Sequence, residues 1–236
     1  MIDRILLQTT LAGWNIPCDD IQLDLLDRYG RLLVEWNGQM NLVASSTLAD
    51  MTRRHLRDSL VLATALPGAP ESLADVGSGA GLPGIPLAVI WPQTPVVLIE
   101  SIGKKAQFLR HVAASLPLPN VQIATQRAEL VGHNPQHRAR YGLVAARAVA
   151  NLATLAEYCL PLCRLGGTWL APKGPDVHAE VSDAEAAIGT LGGAVEGIYD
   201  VVIPGEPTRS LIVVSKQRET PADYPRPVGV AAKYPL

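Results

Sequence analysis

Six features of this chain place chemistry-bearing residue types at spacings that could serve one site. Asp75-Val76-Gly77-Ser78-Gly79-Ala80-Gly81-Leu82-Pro83-Gly84 sets an acid ahead of alternating glycines. Glu100 follows 25 positions after Asp75, at the end of the apolar run Val96 to Ile99. Glu129 sits in Arg127-Ala128-Glu129, after a third short apolar run. Arg147 and Lys173 close two more such runs. His55 and Asp58 fall three residues apart, which on a helix makes them neighbours.

The glycine stretch reads as a strand end, a tight loop and a helix start. Its glycines let the backbone turn sharply and let a ligand approach without meeting a Cβ. Pro83 suits the first helical turn, where its missing N–H costs nothing. The free N–H groups and dipole of a helix start then face the loop. Gly79-x-Gly81-x-x-Gly84 also fits the dinucleotide fingerprint, so the glycines alone leave NAD and S-adenosylmethionine both open. Asp75 favours the second, because a carboxylate beside the cradle repels a pyrophosphate and suits a ligand with a cationic amino-acid end. In open α/β sheets an acid at the offset of Glu100 binds ribose hydroxyls, and Glu129 would reach the adenine side.

Those residues need a sheet that collects strand ends along one edge. After the breaker Pro67-Gly68-Ala69-Pro70 the chain alternates short apolar runs with amphipathic stretches, and then ends in two strand-like runs, Val195 to Ile203 and Ser210 to Ser215. That order implies a mostly parallel sheet with helices on both faces and ligands at the strands' carboxyl ends. Helices are expected over Lys104 to Leu116, Asn151 to Cys163 and Asp176 to Leu191. Residues 1–66 read as a helical extension, with a helix start at Pro17-Asp19-Asp20, a C-terminal Gly38 and one helix from Met51 to Leu66. The expected division is 1–66 as extension and 67–236 as the cofactor domain.

Composition narrows the class. The 236 residues are 48% hydrophobic and 18% charged, as in ordinary globular chains. With one Phe, the core must be aliphatic. No run approaches the ~18 apolar residues of a membrane helix, and the N-terminus lacks a signal layout. Cys18, Cys159 and Cys163 are expected to be free thiols in a cytoplasmic protein, with no His/Cys cluster for a metal. No oligomer is indicated. The net charge is −2, but residues 101–147 hold seven Lys and Arg against one acid. Such a local basic field is a footprint for nucleic acid, equally compatible with a solvated face. Arg53, Arg54, Arg57, Lys104, Lys105 and Arg110 are the candidates for nucleic-acid backbone contacts.

Taken together, His55-Leu56-Arg57-Asp58-Ser59-Leu60, the glycine stretch through Pro86, Glu100-Ser101-x-x-Lys104-Lys105-x-x-Phe108-Leu109, Arg127-Ala128-Glu129, Arg147-Ala148, Lys173-Gly174 and Tyr224-Pro225-Arg226 are specific. The chain resembles the bacterial 16S rRNA guanine-N7 methyltransferases, the glucose-inhibited division protein B family (RsmG). The first 30 residues carry none of these motifs, and Gly142 stands where the family pattern has an Asp. The resemblance implies a Rossmann-like, seven-stranded S-adenosylmethionine-dependent methyltransferase fold with an N-terminal helical extension. It implies cofactor contacts at Gly77, Leu82, Ala128, Glu129 and Arg147; Asp75, Gly79, Gly81 and Glu100 complete the expected cofactor set. The substrate would be 16S rRNA or a small-subunit precursor, with Arg147 and Lys173 near the RNA. Two other readings use the same residues: an NAD-dependent oxidoreductase, and a non-catalytic RNA-binding or assembly factor.

Overall fold

A computed structural model describes residues 2–147, 150–203 and 205–236. The N-terminal segment is helical: α1 (Arg4–Gly13), α2 (Asp20–Asn37) and the short α3 (Ser45–Leu48). Asp19 starts α2 with a reciprocal cap, its carboxylate accepting from the Gln22 N–H at 2.8 Å while its own N–H donates to the Gln22 side chain at 2.9 Å. Leu23, Leu26, Tyr29 and Leu33 then recur along one buried face. Gly38 closes the helix at φ −66, in the right-handed region and not as the left-handed C′ residue expected.

The helix expected over Met51 to Leu66 is instead three pieces: a π-helical turn (Thr52–Arg57), α4 (Asp58–Leu60) and a 3-10 turn (Val61–Ala65). Widened turns of this kind re-aim side chains without ending a helix. This one hands the chain to Asp58, which is buried.

β1 (Leu73–Val76), α5 (Gly84–Ile90), β2 (Val96–Ile99), α6 (Gly103–Ser115), β3 (Val121–Ala124), α7 (Ala128–His133), β4 (Tyr141–Ala145), α8 (Leu152–Cys159), β5 (Cys163–Lys173) and α9 (His178–Thr190) follow. β6 (Gly193–Val201), β7 (Arg209–Lys216) and α10 (Val230–Lys233) complete the order. The seven strands line up β3-β2-β1-β4-β5-β7-β6. β1 to β5 pair in parallel, while β7 runs antiparallel to β5 and β6 antiparallel to β7. The order reverses direction between β1 and β4, the switch point where such sheets bind ligands.

Side chains alternate across the sheet. Leu73, Leu98, Leu143 and Leu170 point to one face, beneath α2, α5 and α6; Ala74, Ile99, Val144 and Trp169 point to the other, beneath α8 and α9. Both cores are mainly Leu, Val, Ile and Ala, as the composition requires, and the single Phe108 packs at 5.6 Å from the Trp36 ring. Cys159 ends α8 and Cys163 begins β5, so the two do not share one helix as expected; both are buried and free. Burial pushes the Cys163 thiol up to about 12. Among the described residues no group of His, Cys, Asp and Glu is arranged for a metal, and no helix is long and apolar enough to cross a membrane.

Candidate cofactor cleft and its cationic neighbour

β1 carries Asp75 on the face that α5 covers, at 0% exposure. Its Oδ2 accepts the Gly84 N–H at 3.0 Å, so the carboxylate sits against the first residue of α5. A Cβ on Gly84 would lie 2.3 Å from a Leu98 methyl and 2.7 Å from Asp75 Oδ2, so only glycine permits this approach. Asp75 Oδ1 is buried without a partner. Burial, opposed mainly by the Gly84 hydrogen bond and the Arg147 charge, raises the carboxyl to about 7. Asp75 therefore braces the loop from beneath, a different placement from the ligand-facing one expected of it.

The loop itself is over-determined. The Gly77 and Ser78 N–H groups donate to Ile99 O at 2.9 and 3.1 Å. Gly77, Gly79 and Gly81 take φ values of 71, 55 and 88. Tyr29, buried on α2, donates its hydroxyl to Ala80 O at 2.8 Å and ties the N-terminal segment to the loop. Leu82 is buried beside it.

Glu100 links the next strand end to the same loop. Its Oε2 accepts the Gly79 N–H at 2.9 Å and its Oε1 the Ile102 N–H at 2.7 Å. Each carboxylate oxygen has a second lone-pair direction. Val76, Gly77, Ile99, Glu100, Ser101, Gln126, Arg127, Ala128, Glu129 and Tyr158 line a cleft of about 80 Å³ along this edge. Glu129 Oε1 accepts the Gly229 N–H at 3.0 Å, from the chain's C-terminal tail. That tail is pinned: Arg226 makes paired contacts to the fully buried Glu157, and Arg138 donates to the carbonyls of Gly132, Thr220, Pro221 and Tyr224. Tyr158 and Gln126 line the cleft and the tail's Gly229 holds Glu129, and no sequence motif exposed any of the three.

Two carboxylates against a floor of Gly77 and Ala128 fit a neutral nucleoside whose hydroxyls and exocyclic amine donate. They oppose a pyrophosphate.

A second cavity, of about 180 Å³, is lined by Asp58, Arg147, Pro172, Lys173, Gly174 and Arg209. Asp58 holds one guanidinium on each oxygen: Arg147 Nη1 at 2.8 Å from Oδ2 and Arg209 Nη1 at 2.8 Å from Oδ1. Lys173 Nζ donates to Ala150 O at 2.9 Å and Glu180 Oε1 at 2.8 Å. Ala148, part of the Arg147-Ala148 match, lies outside the described residues, as does Val149 after it. His55 does not join Asp58 at a ligand. It is buried, its Nε2 bonded to Thr47 Oγ1 at 2.8 Å, and burial with the charges of Arg147, Arg209 and Arg54 lowers it to about 4.

The expected RNA-contact set divides. Arg57 is 1% exposed, so its position in the π turn removes it from any RNA surface. Arg53 faces Asp50 and Arg54 faces Glu206, each at 3.7 Å. Arg110 bonds Thr125 Oγ1. Lys104 is exposed and Lys105 half-buried at the start of α6, next to the cleft. Arg138, counted in the basic segment, is a structural anchor of the tail.

The mostly parallel sheet, the glycine loop and the acid-lined cleft at the strands' carboxyl ends define the Rossmann-like class that uses a nucleoside methyl donor. Solved structures agree on the fold: the antibiotic-resistance methyltransferase Kmr superposes with a TM-score of 0.53 at 16% identity, covering 69% of this chain and 94% of that one. A putative O-methyltransferase from Klebsiella pneumoniae gives 0.54 at 12% identity, covering 86% and 92%. The chain belongs to the rRNA small subunit methyltransferase G family, whose model matches residues 22–208. Ribosomal RNA small subunit methyltransferase G of Roseiflexus sp. (strain RS-1) is 49% identical over 98% of this chain and 99% of its own length. The protein of that name from Chloroflexus aggregans is 47% identical over 99% and 98%. At such coverage the first 30 residues, though they carry none of the motifs, take part in the alignment.

Proposed function

We propose that this chain transfers the methyl group of S-adenosylmethionine to N7 of a guanine in 16S rRNA, within the small ribosomal subunit or its precursor. The observation that carries the reading is the acid-lined cleft lying beside a cationic cavity on one sheet edge, in a chain of this family. Glu100 takes the ribose hydroxyls. Ala128 and Glu129 take the adenine side, and Gly77, Gly79, Gly81 and Leu82 shape the loop against the cofactor. Arg147 contacts it from the end of β4, and Asp75 acts through the loop that it braces. Lys104, Lys105 and Lys173 face the RNA. Residues 1–66 form the helical extension and 67–236 the methyltransferase domain. The cytoplasm, where ribosomal subunits are made, is the place of action.

The cofactor supplies a methyl group on a cationic sulfonium. N7 of guanine has its own lone pair, so no side chain need remove a proton before attack. The work left to the chain is placement of N7 in line with the methyl group and exclusion of water. Such placement contributes roughly 7–11 kcal/mol in favourable cases. An NAD-dependent reaction fits less well, since a pyrophosphate on the loop would meet Glu100. Calorimetric titration with each ligand separates them: S-adenosylmethionine binds and NAD does not. Labelled S-adenosylmethionine incubated with small subunits then transfers its label to rRNA; binding without transfer to any rRNA form would leave only the non-catalytic factor.

A further inference from the structure

We propose that Arg209, held by Asp58, receives a phosphodiester of the RNA strand and is a substrate-positioning residue. The inference rests on the methyltransferase reading above and goes beyond it in naming the group that docks the strand. β7 is antiparallel to β5, and Lys173 pairs in register with Ser210. The first residue of β7 therefore reaches the same sheet edge as the last residue of β5. That puts Arg209 in the cavity with Arg147 and Lys173.

The cavity's charges favour an anion. Arg147, Lys173 and Arg209 meet Asp58 there, with Glu180 behind Lys173, leaving a net positive wall. Asp58 is 4% exposed at its side chain and holds two guanidinium groups apart, one on each oxygen. Arg147 is the more covered, at 16%, while the Arg209 side chain is 30% exposed and has the better access to a ligand. An arginine has five N–H donors in a fixed fork that matches a phosphate. The ion pair with Asp58 at 2.8 Å fixes one end of that fork. A guanine edge is the weaker choice of ligand: an arginine reading a guanine bonds O6 and N7 together, and N7 must stay free to take the methyl group.

The test uses the full-length enzyme with small subunits as substrate. Arg209→Gln raises the KM for RNA about tenfold, the scale of one charge-assisted hydrogen bond. It also reduces the magnitude of the slope of log affinity against log salt by about one. Affinity for S-adenosylmethionine stays within twofold, and Arg209→Lys restores part of the KM. Gly174→Asp is the second variant: a Cβ there meets nothing within 4 Å, so it adds a carboxylate at the cavity without a clash. It raises the KM as well, and decides the matter if Arg209→Gln does not fold. Gly68→Asp, equally unobstructed but before β1 at the opposite edge, leaves the KM unchanged. A wild-type KM and salt slope in Arg209→Gln or in Gly174→Asp overturns the proposal. So does an equal loss of cofactor affinity, which would make Arg209 a support for the cofactor cleft. An inactive wild-type enzyme would instead defeat the underlying methyltransferase reading.

Discussion

At the residue scale, Asp75 has the property most easily measured. Burial raises its carboxyl from the ordinary 3.8 to about 7, so between those values the folded chain holds a proton that the unfolded chain has lost. Stability contributed by that proton falls as pH rises from about 4 to 7, by an amount on the order of a few kcal/mol. His55 works in the opposite sense: its folded value near 4 makes stability fall as pH drops from 6.5. Comparing Asp75→Asn with wild type isolates the first effect. In thermal melts from pH 4 to 8, the difference in Tm between the two proteins changes steadily with pH, in favour of the variant at higher pH. Parallel profiles would show that Asp75 does not titrate in this range. Gly77 tests the cleft. It lines the cavity at φ 71, where a β-branched side chain is strained. Gly77→Val is expected to abolish calorimetric binding of S-adenosylmethionine while the far-UV spectrum stays native. Retained affinity would place the cofactor elsewhere.

At the element scale, one buried polar contact in the loop and one in the tail can each be removed by a single substitution. Tyr29→Phe leaves Ala80 O without its donor inside the fold, a cost of about 1–3 kcal/mol, and weakens cofactor affinity severalfold because the loop loses its tether. Unfolding in denaturant and calorimetry read the two effects; a change in stability with wild-type affinity would assign Tyr29 to packing alone. Glu157 is fully buried against Arg226. Arg226→Ala strands that charge and costs about 3–5 kcal/mol, part of which Glu157→Gln in the same chain restores. Equal stability of the single and double variants would contradict this. These ties also explain what the sequence could convey. Strand ends announce themselves by an apolar run followed by a polar residue, so the positions of Glu100, Arg147 and Lys173 at the sheet edge are legible, whereas Asp75 lies inside β1 and Glu129 in the first turn of α7. Arg209 begins a strand, and only the antiparallel turn of β7 brings it to the same edge. Tyr158 and Gly229 reach the cleft by helix packing and by a tail returning over 100 residues, separations that leave no local pattern.

At the scale of the whole molecule, the N-terminal segment packs on α5 and α6, the helices that cover one face of the sheet. Leu23, Leu26, Leu33 and Leu60 share a continuous core with Leu73, Leu98 and Leu143. The breaker at Pro67 to Pro70 is legible as punctuation, but how tightly the two parts pack is not, because it depends on facing surfaces far apart in the chain. The same segment supplies Asp58 to the cationic cavity and Tyr29 to the glycine loop, so it is in contact with both. The most direct test of that account is to incubate the enzyme with labelled S-adenosylmethionine and small ribosomal subunits, then cleave the rRNA chemically at N7-methylated guanines. The account predicts label in 16S rRNA and a new scission at a guanine. Label on a different atom, or none in any rRNA form, would contradict it.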